Sequence, residues 1–307
     1  MTQPLHPRHE LSRQDSGSQI DPRHVAICTV HGYAPAGHDA DLARRCPWPM
    51  LQLRQLRRCT PKGFTVYAYG NQLMGDHDED YLRSCDDVVF FSSRDVMHGT
   101  HTHVWPIRNW LTRQAAKDHE WIVHLDSDAF PIAPDWLSRY CSIVSPECPV
   151  VAVQRNNHGH HSDRCFLMFS RAGFRAHAFD FSKVGVAEAG AGISGGLEDM
   201  GLSWHPLIRT NAFSYHQRIA GIYDDRIYHH AAGSRRPRFH LNRQVMEADA
   251  DEARTEVLTH RILREWLFNE TDSFIRQLRG QEPPRLLNDA LAQARLERSA
   301  APHDGSR

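Results

Sequence analysis

The sequence lacks the features that mark membrane-spanning, exported and nucleic-acid-binding proteins. No apolar run approaches the roughly 18 residues of a membrane helix, and the N-terminal stretch has no apolar core of a signal peptide. Lysine occurs only at positions 62, 117 and 183, the arginines are scattered, and the formal net charge is -1. Nucleic acid is bound by massed positive charge, so we expect no nucleic-acid partner. The lack of a long apolar run predicts no membrane span.

Cysteine is sparse and follows no recognisable pattern. The seven cysteines form no C-x-x-C pair, and their number is odd. A disulfide framework normally uses an even number of cysteines. We therefore expect reduced thiols and a cytoplasmic location.

Strand-like apolar stretches alternate with amphipathic stretches of helical spacing. Strands are predicted at 25–30, 64–69, 87–91, 121–126, 149–153, 166–169 and 226–229, and helices at 51–58, 105–117 and 136–144. Pro47 and Pro49 are expected to precede the first helix, and residues 76–80 to form an acidic loop. Asp135 is placed to cap the third helix. The alternation predicts an α/β fold with a mainly parallel sheet flanked by helices.

The composition also suggests how the 307 residues are divided. Residues 1–22 are polar and without periodicity, which indicates a flexible leader. The main folded domain is expected over 23–250. Helices at 251–298 would form a C-terminal cap or an interface, and 299–307 a disordered tail.

The most informative segment is Trp121-Ile-Val-His-Leu-Asp-Ser-Asp128, an apolar strand that ends in two carboxylates. Side chains two apart in an extended chain point the same way, so Asp126 and Asp128 can converge on one cation. Ligands of open α/β sheets collect beyond the carboxyl ends of the strands, and Mg²⁺ takes one or two carboxylates plus substrate phosphates. The alternative is ordinary turn and capping chemistry, in which Asp and Ser bond nearby amides.

This segment resembles the Asp-X-Asp motif of GT-A fold glycosyltransferases, particularly bacterial family-2-like enzymes. The resemblance extends over roughly His24 to Arg235 and implies a Rossmann-like GT-A domain with a helical C-terminal extension. Its nucleotide-sugar half would be 23–130 and its acceptor half 131–250. In that family the motif carboxylates hold Mn²⁺ or Mg²⁺ against the diphosphate of a nucleotide sugar, a role that would fall here to Asp126 and Asp128.

A second match is Ile227-Tyr-His-His-Ala-Ala-Gly-Ser-Arg235, which is similar to the late histidine-bearing strand and Gly-Ser loop of GT-A enzymes. His229 and His230 point to opposite faces if extended, so only one can join the aspartates, and we favour His229. Ser234 and Arg235 would contact phosphate, Arg235 through a forked charge-assisted bond.

The resemblance also implies an acceptor base and nucleotide contacts. The segment Gly195 to Trp204 is similar to the family's Glu-Asp motif, which makes Asp199 the candidate base and Glu198 the second candidate. The alternative is an exposed helix turn. By position, the nucleotide contacts would be Thr29, His31, Tyr69 and Asn71, at the ends of the first two strands.

The function that this resemblance implies is a metal-dependent hexosyl or pentosyl transfer from a nucleoside-diphosphate sugar, preferably a UDP-sugar, to an acceptor hydroxyl. The acceptor, whether glycan, lipid or small molecule, stays open, as do inversion or retention. One alternative is a phosphohydrolase of the haloacid-dehalogenase type with Asp126 as nucleophile. Another is a nucleotide- or carbohydrate-binding domain without catalytic activity.

Overall fold

A computed structural model describes most of the chain. The described residues are 21–31, 46–70, 76–92, 104–155, 161–177, 191–212, 220–230 and 261–283, together with the single positions 285, 289, 292 and 296. The predictions for 1–20 and 299–307 lie outside these ranges.

The described strands and helices alternate up to residue 126, and beyond it two strands or two helices also follow one another directly. The strands are β1 (Val25–His31), β2 (Thr65–Gly70), β3 (Val88–Ser92), β4 (Trp121–Asp126), β5 (Ala129–Pro131), β6 (Val150–Arg155), β7 (His161–Ser170), β8 (His205–Leu207), β9 (Gly221–Tyr223) and β10 (Ile227–His229). The helices are α1 (Trp48–Cys59), α2 (Asp76–Arg83), α3 (Val104–Ala115), α4 (Trp136–Cys141), α5 (Arg171–His177), α6 (Ala191–Asp199) and α7 (Thr271–Leu278), and residues 261–269 are also helical.

Seven of the described strands form the main sheet, in the order β3-β2-β1-β4-β7-β6-β8. Strand β7 is antiparallel to both of its neighbours, β4 and β6, whereas the other pairings are parallel. Six strands therefore end at the same edge, which we call the carboxyl edge, and begin at the opposite amino edge. The predicted fold class, an α/β fold with a mainly parallel, Rossmann-like sheet flanked by helices, is confirmed.

Helices cover both faces of this sheet because its central strands are apolar on both faces. In β1, Val25 and Ile27 pack on the side of α1, α2 and α4, whereas Ala26 and Cys28 pack on the side of α3 and α6. Successive side chains of a strand point to opposite faces, so a strand buried on both sides reads as a continuous apolar run. The first face contains fully buried Trp136.

A second, antiparallel sheet of order β5-β10-β9 adjoins the carboxyl edge. Three residues, 224–226, join β9 to β10. Asp224 and Asp225 both have positive φ, at 48° and 54°, and the N–H of Arg226 donates to the carbonyl of Tyr223 at 3.0 Å, as in a type I′ turn. The helical residues 261–269 and helix α7 pack on this sheet through a shared apolar cluster that includes Phe130, Tyr228 and Phe274. In the described part of the chain, the C-terminal helices therefore cap the protein's own small sheet.

Three local predictions were wrong. Pro49 lies inside the first turn of α1 rather than before it, because a proline there forfeits no intrahelical bond. The acidic residues 76–80 form the first turn of α2, where carboxylates favour the helix dipole. Asp135 precedes α4 but makes no side-chain cap, since its Oδ2 accepts a hydrogen bond of 2.7 Å from Nη2 of Arg226.

None of the helices described here is long and apolar enough to cross a membrane. The predicted division into halves at residue 130 and the separate C-terminal unit remain predictions. Strand β5 crosses the first of these boundaries.

Candidate metal centre

Asp126 is the last residue of β4 and stands at the carboxyl edge beside Val30 of β1. Ser127 then turns the chain, Asp128 follows, and β5 leaves the main sheet for the small one. The side chain of Asp126 is 23% exposed and that of Asp128 only 3%. Burying a carboxylate this deeply is costly unless a partner compensates for the lost water, so the surroundings of Asp128 must provide one.

The partner of the two aspartates is His229, which the small sheet brings to them. Strand β10 pairs with β5 so that His229 lies opposite Ala129. Nε2 of His229 is 3.5 Å from Oδ1 of Asp128 and 3.9 Å from Oδ2 of Asp126. One ligand atom from each of the three residues lies within 4.8 Å of the other two. Residues 101 and 103 positions apart in the sequence thus converge on a space that a single cation could fill.

His230 points to the other side of β10, as the two-residue period of a strand requires. Its Nδ1 is 2.7 Å from the hydroxyl of Tyr228, and its ring lies 5.1 Å from that of Trp48. Its backbone serves the centre, because its N–H donates to the carbonyl of Asp128 at 3.0 Å. Of the two predicted histidines, the structure brings His229 to the aspartates and does not bring the His230 side chain.

Arg108 supplies a buried positive charge at the same place. It lies on α3, is 1% exposed, and donates from Nη2 to Oδ1 of Asp126. Asp126 therefore offers its other oxygen, Oδ2, toward His229. Deeper in the same face, Thr112 donates its hydroxyl to the carbonyl of Arg108 at 2.8 Å and lies 2.7 Å from Nε2 of His124. Helix α3 therefore contacts β4 through two polar pairs, Arg108 with Asp126 and Thr112 with His124.

The electrostatics of His229 reflect this negative environment. Burial lowers the pKa of His229, but the interactions of its ring with Cys165 and with the carboxylate of Asp128 together outweigh burial and raise that pKa well above its ordinary value. Cys165 lies against the same ring, and burial raises the pKa of its thiol to about 12, so it is a neutral neighbour. A metal-bound imidazole must be neutral, so a cation here would replace the proton of His229.

Gln52, a fully buried residue of α1, holds the backbone of the aspartate turn. Its Nε2 donates to the carbonyl oxygens of Asp126 and Ala129, both at 2.7 Å. Its Oε1 accepts from the hydroxyl of Thr29 at 3.2 Å. The sequence argument missed both Gln52 and Arg108, because neither belongs to a local motif and their partners lie on strands distant in sequence.

The predicted nucleotide contacts have different surroundings. Thr29 is buried, and its hydroxyl is used by Gln52. The ring of Tyr69 is also buried and packs edge-on against Trp110, with ring centroids 6.4 Å apart. His31 stands at the carboxyl edge, and no described residue bonds its buried Nδ1. Three further predicted contacts lie outside the described residues: Asn71, Ser234 and Arg235.

The structure does not bring Glu198 and Asp199 to the centre. Both are exposed at the C-terminal end of α6. That helix starts near the carboxyl edge, where Oγ of Ser194 accepts a hydrogen bond from the N–H of Ser162. The residues that follow the helix reach the amino edge, where the N–H of Ser203 donates to the carbonyl of Glu147. A six-residue strand spans about 20 Å. This placement gives no support to either acid as the base and matches the alternative of an exposed helix turn.

The donor set fits a divalent cation. Two carboxylate oxygens and one imidazole nitrogen converge, and carboxylates suit Mg²⁺ and Mn²⁺, whereas imidazole favours transition metals. The mixed set therefore suits Mn²⁺ better than Mg²⁺. Asp126 and Asp128 also lie at the carboxyl edge, where open α/β sheets bind their ligands.

Comparison with known proteins gives similar folds but no family. No protein-family model matches the chain, and no curated protein sequence matches it. Solved structures that resemble it include S. aureus TarS 1–349, at 12% identity and a TM-score of 0.44, covering 88% of this chain and 80% of that one. Mouse xyloside xylosyltransferase 1 is 11% identical, with a TM-score of 0.40 and coverage of 59% and 85%.

A third such structure is a Desulfovibrio desulfuricans G20 protein named as a nucleotide-diphospho-sugar transferase. It is 12% identical, with a TM-score of 0.43, and the match covers 60% of this chain and 80% of that one. At these scores the likeness carries no argument about reaction, donor or acceptor. Those questions depend on the residues of the centre.

Proposed function

We propose that the protein is a metal-dependent glycosyltransferase of the GT-A type, which moves a sugar from a nucleoside-diphosphate sugar to an acceptor hydroxyl. The observation that carries the proposal is the convergence of Asp126, Asp128 and His229 at the carboxyl edge. These three would hold Mn²⁺, or Mg²⁺ in its place. The bound cation would stabilise the charge that develops on the departing nucleoside diphosphate.

The fixed charges around the centre are suited to a diphosphate. With His229 neutral, the two aspartates and the guanidinium of Arg108 leave one net negative charge. A divalent cation reverses that sign and makes the centre attractive to a dianionic group. Arg108 limits the repulsion between the two carboxylates and orients Asp126 through its Oδ1.

The proposal also assigns the contacts to the nucleotide and its phosphates, the donor and the cellular setting. His31 is our candidate for a contact to the nucleotide, because its buried Nδ1 faces the carboxyl edge without a bond from any described residue. Asn71, Ser234 and Arg235 keep their proposed roles with the nucleotide and its phosphates. We propose a UDP-sugar as donor and a reducing, cytoplasmic setting, in keeping with the seven free cysteines.

The alternatives identified from sequence make different demands on the site. A haloacid-dehalogenase nucleophile must present a free carboxylate oxygen to phosphorus. In Asp126, Oδ1 bonds Arg108, and only Oδ2 faces the space beside His229, where the proposal places a cation and the alternative a phosphorus atom. A binding domain without catalysis would use the same cation and diphosphate contacts, and only turnover can distinguish it.

The proposal is tested by calorimetric titration with UDP, GDP, CDP and dTDP, each with and without Mn²⁺. We expect binding of one nucleotide only in the presence of Mn²⁺, followed by release of that nucleotide from its sugar donor. Binding without turnover of any sugar donor would favour a binding domain. Absence of binding combined with Mg²⁺-dependent hydrolysis of p-nitrophenyl phosphate would replace the proposal with a phosphohydrolase.

A further inference from the structure

Gln52 connects three separate parts of the site from a position on helix α1. It is fully buried, and all its described hydrogen bonds go to the strand ends at the carboxyl edge: Thr29 in β1, Asp126 in β4 and Ala129 in β5. The carbonyls of Asp126 and Ala129 bracket the turn that carries Asp128. One amide group therefore holds both ends of this turn.

The orientation of the amide is determined by its partners. The two carbonyl oxygens can only accept, so the NH₂ group of Gln52 must face them. The amide oxygen must then face the hydroxyl of Thr29, which donates to it at 3.2 Å. The reverse orientation would place an oxygen against two carbonyl oxygens in a buried space, with no water to relieve the repulsion.

We infer that Gln52 is a positioning residue of the metal centre, with Thr29 orienting its amide. By holding the carbonyls of Asp126 and Ala129, Gln52 sets the shape of the turn, and that shape decides whether the carboxylates of Asp126 and Asp128 reach the same cation as His229. A second restraint acts on the same turn, because the N–H of His230 donates to the carbonyl of Asp128. Gln52 itself contacts neither the cation nor the donor. The inference depends on the proposed metal centre.

The test compares two glutamines of the same helix. Gln52→Met keeps an unbranched side chain of similar length but removes both donors. Gln55→Met is the matched control, because Gln55 is 2% exposed and no hydrogen bond joins it to the turn in the described part of the chain. Mn²⁺ alone is titrated into each folded variant by calorimetry, well below its melting temperature, so that a general loss of stability does not alter the readout.

We expect Gln52→Met to lower Mn²⁺ affinity by about 10- to 100-fold, as loss of a group that orients metal ligands typically does. Gln55→Met should bind Mn²⁺ within about twofold of wild type, because Gln55 shares no hydrogen-bond partner with the turn in the described part of the chain. Wild-type affinity in folded Gln52→Met would overturn the inference. Equal losses in both variants would also overturn it, because the effect would then belong to helix α1 in general.

If Gln52→Met fails to fold, Thr29→Val tests the inference instead. Valine matches the shape of threonine without the hydroxyl, so the amide of Gln52 loses its orienting partner. A loss of Mn²⁺ affinity of several-fold supports the inference, and unchanged affinity overturns it. The proposed metal function fails separately, if the wild-type protein itself binds no Mn²⁺.

Discussion

The charged groups at the two edges of the main sheet differ in their burial. At the carboxyl edge, the side chains of Asp128, Arg108 and Gln52 are buried. Arg108 bonds the carboxylate of Asp126, and Gln52 donates to the backbone carbonyl of the same residue. At the amino edge, His24 and Glu120 form a loose pair with atoms 3.9 Å apart and side chains 57% and 55% exposed.

Desolvation makes buried and exposed charges differ in their energetic cost. An exposed pair such as His24 and Glu120 contributes little to stability, because water screens both charges. A buried charge costs several kcal/mol unless its partners compensate, so a cluster of buried carboxylates, guanidinium and amide must be tightly bonded. Such clusters are where ligands are bound, since the same groups are preorganised for a partner charge. The contrast between the edges can be tested by substitution.

The largest effect is expected from Asp128→Asn at the carboxyl edge. This change removes one ligand charge while preserving side-chain shape, so we expect Mn²⁺-dependent nucleotide binding to weaken by more than about 100-fold. The melting temperature should stay close to that of wild type. Titration calorimetry and a thermal melt measure both quantities, and unchanged binding would remove Asp128 from the metal centre.

The neighbouring histidines should separate metal binding from stability. His229→Gln is expected to lower Mn²⁺ affinity by about 10- to 100-fold. His230→Gln should leave that affinity nearly unchanged but lower the free energy of unfolding by about 1–3 kcal/mol, because the buried hydroxyl of Tyr228 loses its partner. Mn²⁺ titration and urea unfolding of each variant measure the two effects. The reverse pattern would assign the ligand role to His230.

Acid should destabilise the carboxyl edge through His31. Burial lowers the pKa of His31 from 6.5 to about 4, so the unfolded chain takes up this proton first as pH falls. The stability contributed by neutral His31 is complete above pH 6.5 and is lost between 6.5 and 4, by about 3 kcal/mol. Urea unfolding across that range should show a shallower pH slope in His31→Gln than in wild type.

The control for this prediction is His24→Gln at the amino edge, where the side chain is exposed. It should retain the wild-type pH slope. Equal slopes in His31→Gln and wild type would contradict the burial of a neutral His31.

The smallest effect is expected from Asp199→Asn at the exposed end of α6. Because this acid lies toward the amino edge, Mn²⁺ affinity and turnover should stay within about twofold of wild type. Steady-state release of nucleotide from the sugar donor measures turnover. Intact donor binding with turnover slowed tenfold or more would restore Asp199 as the acceptor base.

The success of the sequence predictions depended on whether the relevant signal was local. Strand β4 and the carboxylates at its end were predictable, because an apolar run followed by Asp-Ser-Asp lies within eight residues. Position 49 was mispredicted, because a proline in a helix is tolerated only at certain positions of the first turn. Helix α2 was missed because acidic residues fit both a loop and a helix start.

The amino-acid sequence alone specified an alternating α/β chain, a strand ending in Asp126 and Asp128, and two histidines that must face opposite ways. These follow from periodicity and residue type, which act over a few neighbours. The sequence favoured His229 over His230, but the approach of His229 to the aspartates follows from the pairing of β10 with β5, and the burial of Arg108 and Gln52 beside the aspartates follows from helix packing. Such contacts join residues tens of positions apart, so no local pattern contains them, and only the folded chain brings them together.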